Sequence, residues 1–162
     1  AGSLRVWNYK TMATLKSIQD VTDEPVNVAK FVVREKWIVA GDRNGCIHVH
    51  NYEENEEVES FCAHSSCITT LAVHPTDPFL FSSSNDAGHL IKLWNWDNDW
   101  ECKEFHGHVG TVTQVTFNPN DSNSFASASK DGTVKVCFSS SYLYMFQPYM
   151  LMVLCFYTSK NL

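Results

Sequence analysis

The chain repeats a pattern of short strands every 43 or 44 residues, and no other feature restricts its fold as strongly. Four segments alternate apolar and polar residues, and their matching positions are Trp7, His50, Trp94 and Cys137. Strict alternation predicts strands with one buried face, whereas no helical periodicity occurs in residues 1–137. The sequence therefore predicts an all-β protein built from a repeated unit.

Two further strand-like segments precede each of the last three alternating strands. Small-residue segments that end in turns lie directly upstream, at residues 39–45, 82–88 and 127–132. Apolar segments come before those, at residues 26–32, 67–75 and 111–119. A repeat of 40–45 residues with four strands per unit resembles the blades of WD40 β-propellers. We therefore predict an all-β, partial WD40 β-propeller with two full blades and parts of two more.

Polar residues that mark WD40 blades occur at the corresponding positions of this chain. His64 and His108 stand where a blade carries its Gly-His pair, Asp86 and Asp131 occupy tight turns, and Trp94-Asn95 replaces the Trp-Asp pair. A buried carboxylate, imidazole or indole N–H is costly when unpaired, so we expect these groups to bond one another. One predicted structural network comprises His64, Ser82 or Ser84, Asp86 and Trp94. The other comprises His108, Ser127 or Ser129, and Asp131, without a tryptophan.

The same residues argue against catalytic, cofactor and metal sites. Ser82 to Ser84 with Asp86 and His64 superficially offer a Ser/His/Asp set, but these serines lie in a strand rather than on a strained turn. The spacing Cys62-x-His64-x2-Cys67 matches no common zinc motif. We predict no enzyme activity, no cofactor and no metal, and we expect the six scattered cysteines to be free thiols.

Composition narrows the possible partners. The formal net charge is −6, and no Lys/Arg-rich block is present. Nucleic acid is therefore not an expected partner. The run EENEEVE at residues 53–59 is most simply a solvated turn entering a strand, although an acidic face would attract basic peptides.

Longer strings resemble the coatomer beta-prime family of vesicle-coat proteins. The strings are RVWNYKT (5–11), PVNVAKFVVREKWIVAGDRN (25–44), IHVHNY (47–52), AHSSCITTLAVHPTDPF (63–79), IKLWNWDNDWECKEFHGH (91–108) and FNPNDSNSFASASKDGTVKV (117–136). The resemblance implies a non-enzymatic scaffold in transport between the Golgi and the endoplasmic reticulum. It also implies a cytoplasmic location, peripheral on Golgi membranes and coated vesicles, with other coatomer subunits and the cytosolic tails of membrane cargo as partners. The alternative that remains is a generic WD40 adaptor, such as a ubiquitin-ligase substrate receptor.

The resemblance further implies a site for C-terminal dilysine signals, but this chain departs from the family pattern there. Asn27 and Thr69 replace arginines, and Ser66 replaces an acidic residue. Asp86 alone keeps a charge that could contact a lysine of the signal. Because the arginines would bind the terminal carboxylate, we predict weak or absent dilysine binding.

The last part of the sequence differs from the repeats. We place the incomplete propeller at residues 1–138 and an apolar tail, expected to lie outside it, at residues 139–162. Tyr142 to Tyr157 is an apolar run interrupted by Gln147-Pro148. A membrane-spanning helix needs about 20 apolar residues, so we expect this run not to span a membrane.

Overall fold

A computed structural model describes residues 2–138 and 151–155, and within these residues the chain is almost entirely strand. The strands are β1 (Gly2–Trp7), β2 (Thr14–Thr22), β3 (Val26–Val32), β4 (Trp37–Asp42), β5 (Cys46–Asn51), β6 (Glu56–Cys62), β7 (Ile68–Val73), β8 (Phe79–Ser84), β9 (Ile91–Asn95), β10 (Glu101–Phe105), β11 (Val112–Asn118), β12 (Asp121–Ser129), β13 (Val134–Phe138) and β14 (Leu151–Cys155). Short 3₁₀ turns occur at Val33–Glu35 and Trp96–Asn98. The described residues contain no helix long and apolar enough to cross a membrane.

Four antiparallel sheets follow one another along the chain, as the repeat predicts. A two-stranded sheet pairs β1 with β2, and three four-stranded sheets have the orders β3-β4-β5-β6, β7-β8-β9-β10 and β11-β12-β13-β14. Each sheet is a meander, in which consecutive strands are neighbours. The predicted strands around Trp7, His50, Trp94 and Cys137 are β1, β5, β9 and β13.

The first of two compact units covers residues 1–68 and contains the first two sheets. The inward residues of β1 and β2, including Leu4 and Ile18, are less than one-tenth exposed. They pack with Ile38 and Ala40 of β4 in one hydrophobic cluster. Alternation in β1 thus buries one face of the strand and exposes the other.

The second unit covers residues 69–162 and contains the other two sheets apart from Ile68, the first residue of β7. Phe81 of β8 is 2% exposed, and its ring centroid lies 4.4 Å from that of Phe125 on β12 and 4.7 Å from that of Phe117 on β11. Thr69 also donates from its hydroxyl to the Val112 carbonyl oxygen at 2.7 Å. Aromatic stacking and a side-chain hydrogen bond therefore join the two sheets of this unit.

Tight turns between strands depend on residues with positive φ. Gly45 has φ +88°, and a Cβ at this position would lie 2.2 Å from the carbonyl oxygen of His64. Only glycine fits such a close backbone approach. Trp96 begins the second 3₁₀ turn, where the Asn95 side chain accepts a hydrogen bond from the Asp97 N–H.

Two cysteines expected to be free are joined in the structure. Cys46 of β5 and Cys62 of β6 are direct register partners and form a disulfide. The prediction of free thiols is therefore wrong for this pair, because antiparallel pairing brings together residues that are distant in sequence. Cys67, Cys102 and Cys137 are free.

Part of the apolar tail forms the last strand of the fourth sheet. Residues 151–155 pair antiparallel with β13, in a register that places Leu151 opposite Phe138 and Cys155 opposite Val134. The free backbone groups of an edge strand readily pair with an extended segment. The boundary at residue 138 stays a prediction, although this pairing attaches five residues of the tail to the fourth sheet, and most of the Tyr142–Tyr157 run lies outside the described residues.

Candidate functional site

The fourth sheet holds one histidine between a serine and a carboxylate. His108 lies between β10 and β11, Ser127 lies on β12, and Asp131 lies in the turn from β12 to β13. His108 Nδ1 is 2.8 Å from Asp131 Oδ2, and His108 Nε2 is 2.9 Å from Ser127 Oγ. Because a carboxylate only accepts, Nδ1 carries the proton and Nε2 accepts from the Ser127 hydroxyl. We call these three residues the closed relay, since the His108 and Asp131 side chains are 3% and 5% exposed and Ser127 is 2% exposed.

Asp131 is held by more donors than His108 alone. Its carboxylate accepts from the Val109 N–H at 3.0 Å and from the Thr133 N–H and hydroxyl at 2.9 and 2.6 Å. Burial favours a higher pKa for Asp131, but these hydrogen bonds outweigh it and hold the pKa well below its ordinary value. Ser129, the other predicted serine, donates to the Gly110 carbonyl at 2.8 Å and accepts from the Asp131 N–H, so it supports the turn.

The third sheet contains parts of the other predicted network. The Trp94 indole N–H donates to the buried Ser82 hydroxyl at 2.8 Å. Ser84 Oγ accepts from the Asp86 N–H at 3.2 Å, and the Asp86 carboxylate accepts from the Gly88 N–H at 3.1 Å. His64 is buried in the first unit, so its participation in one network with these residues of the second unit stays a prediction.

The second sheet contains a relay that comparison of the repeats does not predict. His48 Nε2 on β5 lies 3.1 Å from Asp42 Oδ2 at the end of β4, and His48 Nδ1 lies 3.0 Å from Ser60 Oγ on β6. We call Asp42, His48 and Ser60 the open relay, because Ser60 is exposed. One signal is present in the sequence, since Asp42 occupies the same turn position as Asp86 and Asp131.

The open relay borders a shallow cavity of about 520 Å³ within the first unit, and this cavity is widely open to solvent. The cavity is lined by Val21, Thr22, Asp23, Glu24, Asp42, Asn44, Cys46, His48, Glu57 and Ser60. Asp42 accepts from the N–H groups of Asn44 and Cys46 at 2.9 and 2.8 Å. Burial favours a higher pKa for Asp42, but the hydrogen bonds from Cys46, His48 and Thr22 lower it below the ordinary value. Asp42 is thus held as the carboxylate at neutral pH.

A second histidine of β5, His50, replaces the tryptophan of the third sheet at the matching repeat position. It is 7% exposed, and its Nε2 has no hydrogen-bond partner within the described part of the chain. Burial lowers the pKa of His50 and keeps its imidazole neutral. This side chain serves packing more than polar recognition.

The two residues that the resemblance places at arginine positions bond to backbone groups. Asn27 donates from its amide to the Ile68 carbonyl at 2.7 Å, within the first unit. Thr69 donates to the carbonyls of Ser83 and Val112, within the second unit. Neither side chain carries a charge for a carboxylate ligand. Asp86 is half-buried, and its carboxylate supports the β8–β9 turn.

The structure places the side chains considered as metal ligands. Among residues 2–138 and 151–155, no group of three or more His, Cys, Asp or Glu side chains is placed to hold a metal ion. Cys62, part of the motif considered for zinc, is bonded to Cys46.

Comparison with known proteins supports the fold through two independent likenesses. The family described as "WD domain, G-beta repeat" matches residues 55–95 and 100–137. The crystal structure of the Cps50 (Swd1) β-propeller domain of Myceliophteria thermophila is similar with a TM-score of 0.66, at 17% identity, and covers 80% of this chain and 37% of that chain. The predicted all-β, partial WD40 β-propeller is confirmed.

Curated proteins of similar sequence are coatomer subunits. The putative coatomer subunit beta'-3 of Oryza sativa subsp. japonica is 51% identical over 41 residues, which are 25% of this chain and 4% of that protein. Coatomer subunit beta' of Rattus norvegicus and that of Homo sapiens are each 49% identical over 40 residues, with the same shares. The matched segment therefore spans only a small part of these relatives.

Proposed function

We propose that this chain, which carries WD40 repeats on a partial β-propeller and has a protein-interaction role, is a scaffold element of a coatomer-type vesicle coat. The observation that carries the finer assignment is the local identity of 49–51% to coatomer beta' subunits over 40 to 41 residues. The strings that resemble this family extend over residues 5–136 and support the same assignment. The proposed process is protein transport between the Golgi and the endoplasmic reticulum.

A scaffold role suits the way the polar side chains are used. In the closed relay, His108, Ser127 and Asp131 satisfy one another and are shielded from solvent. In the third sheet, Ser82 is occupied by the Trp94 indole. Such networks stabilise blades and leave the loops between strands available for partners. The scaffold role that we propose needs no catalytic step.

The proposed partners are other coatomer subunits, and the proposed location is the cytosolic side of Golgi membranes and coated vesicles. Association with the membrane would be peripheral and would occur through the coat. The formal net charge of −6 supports protein partners over nucleic acid.

Capture of named coat proteins tests this proposal. The tagged 162-residue chain is expressed in cells, and coatomer subunits are quantified by mass spectrometry against a tagged WD40 propeller from another assembly. We expect enrichment of coatomer subunits with this chain alone. Enrichment of ubiquitin-ligase subunits in their place would contradict the coat assignment and favour the adaptor alternative.

Dilysine recognition by this chain is proposed to be weak or absent. Asn27 is a neutral amide bonded to the Ile68 carbonyl, so it cannot form the charge-assisted contact that an arginine makes with a carboxylate. Titration with a KKxx-ended peptide, and with its C-terminal amide as control, measures this directly. A micromolar Kd for the free-carboxylate peptide would refute the proposal.

A gain-of-function variant makes the same test sharper. A charge-assisted hydrogen bond contributes roughly 1.5–3 kcal/mol, so Asn27→Arg is expected to strengthen binding of the free-carboxylate peptide by about tenfold or more. The amide peptide should show no such gain. An equal gain for both peptides would mean that the arginine acts through general charge.

A further inference from the structure

The chain contains two Ser–His–Asp relays of the same chemistry, and they differ in access to solvent. In the closed relay, Ser127 is 2% exposed and lines a cavity of only about 10 Å³. In the open relay, Ser60 is exposed and lines the 520 Å³ cavity. The closed relay therefore serves as a control within the same chain, because it has the same three types of side chain buried from solvent.

The hydrogen bonds of the open relay fix the direction in which a proton can move. Asp42 Oδ2 accepts, so the proton of the neutral imidazole lies on His48 Nε2. Nδ1 then presents its lone pair to the Ser60 hydroxyl at 3.0 Å. Nucleophile, base and orienting carboxylate therefore lie in hydrogen-bond sequence. Ser60 lies in a strand, as Ser82 to Ser84 do, but those serines are fully buried whereas Ser60 is exposed, so a reagent can reach its hydroxyl.

Charges around the cavity favour one class of reagent. Asp23, Glu24 and Glu57 all line it, and Glu57 Oε1 lies 3.9 Å from His48 Nδ1. These carboxylates attract a cation. A cationic acyl donor is therefore favoured over an anionic one.

We propose that Ser60 is an activated nucleophile that accepts an acyl group from a cationic activated ester. The Ser60 Oγ–acyl bond forms as the ester C–O bond breaks, and the hydroxyl proton passes to His48 Nδ1. His48 then gives that proton to the departing aryloxide, which leaves as a phenol. Asp42 is a positioning residue that holds the imidazole. This reactivity is independent of the proposed coat function.

The full 162-residue chain is incubated with the p-nitrophenyl ester of an α-N-blocked lysine, and the product is followed by nitrophenol release and by peptide mapping. We expect one acyl group on Ser60 and none on Ser127. The corresponding glutamate ester should react more slowly. Ser60→Ala should abolish acylation at this position, and His48→Gln should slow it by about 100-fold or more, since a positioned base contributes at least that factor.

Three controls separate activation from simple exposure. Ser17 is an exposed serine on β2 without a histidine partner among the described contacts, and the chain should acylate there far more slowly than at Ser60. Ser127→Ala should leave the acylation rate at Ser60 unchanged. Circular dichroism tests whether His48→Gln is folded. Asp42→Asn is a second variant that should also slow acylation at Ser60. Equal rates at Ser17 and Ser60, no acyl group on Ser60, or an unchanged rate in folded His48→Gln would each overturn the proposal.

Discussion

Replacing Asp131 with alanine removes the acceptor of four hydrogen bonds in the turn between β12 and β13. Val109 is exposed, so its N–H can turn to water after the change. His108 Nδ1 cannot, because the His108 side chain is 3% exposed. The variant therefore leaves the buried imidazole N–H with only a longer contact to the Thr133 hydroxyl, which lies 3.3 Å from Nδ1.

The expected loss of stability follows from these contacts. An unsatisfied buried donor costs about 1–3 kcal/mol, and a hydrogen bond to a charged group contributes about 1.5–3 kcal/mol. Because Nε2 of the same imidazole accepts a hydrogen bond from Ser127, removal of Asp131 leaves no unpaired buried charge, and the expected loss is about 1.5–3 kcal/mol. A domain of this size has a free energy of unfolding of about 5–15 kcal/mol, so the loss is a large fraction of it.

Urea unfolding followed by tryptophan fluorescence measures the change, because Trp94 lies in the same unit as Asp131. The matched control is Glu104→Ala. The Glu104 side chain is 43% exposed, and its carboxylate lies 3.1 Å from Lys92 Nζ. A surface pair contributes about 0–1 kcal/mol, so the control should lose little. Equal, small losses in both variants would refute the claim that the closed relay stabilises the fourth sheet.

Three further predictions concern the turns, the indole and the pH dependence of stability. In thermal unfolding, Gly45→Ala should destabilise the protein far more than Gly132→Ala. Gly132 has φ +82°, but no atom of a described residue lies within 4 Å of an added Cβ, so alanine there has only the backbone cost of about 1–2 kcal/mol. Equal losses of stability in the two variants would contradict the close approach at Gly45. Ser82→Ala should lower the free energy of unfolding by about 1–3 kcal/mol, since it removes the buried hydroxyl that accepts from the Trp94 indole N–H. An unchanged midpoint in urea unfolding, followed by tryptophan fluorescence, would argue against this. The pKa of Asp131 is lowered in the folded chain, so at acid pH the unfolded chain binds more protons than the folded chain. The stability that Asp131 contributes is therefore complete above about pH 4 and falls as the pH drops below the ordinary carboxyl pKa of 3.8. Asp131→Asn should flatten this dependence of stability on pH, and an unchanged slope would count against the role of Asp131.

Repetition explains what the sequence can predict. His64 and His108 are 44 residues apart and Asp86 and Asp131 are 45 apart, close to the strand period, so the repeats together with their resemblance to WD40 blades identify the turns and the closed relay. Period-2 alternation places the strands because each sheet buries one face.

The open relay cannot be found in this way because it breaks the repeat. His48 stands where the next two repeats carry Lys92 and Lys135, so no second copy marks it as part of a network. The disulfide escapes prediction for a related reason. Cys46 and Cys62 meet only through the register of β5 and β6, which shifts between Val49 and His50, and a spacing of 16 residues reveals no register.

In both relays, a carboxylate fixes which ring nitrogen of the histidine carries the proton, and the two histidines differ in that nitrogen. Long-range ¹H–¹⁵N NMR at neutral pH distinguishes the two ring nitrogens directly. We expect His108 to be protonated on Nδ1, opposite Asp131, and His48 to be protonated on Nε2, opposite Asp42. The reverse assignment, or two rapidly exchanging tautomers at either histidine, would contradict the relays.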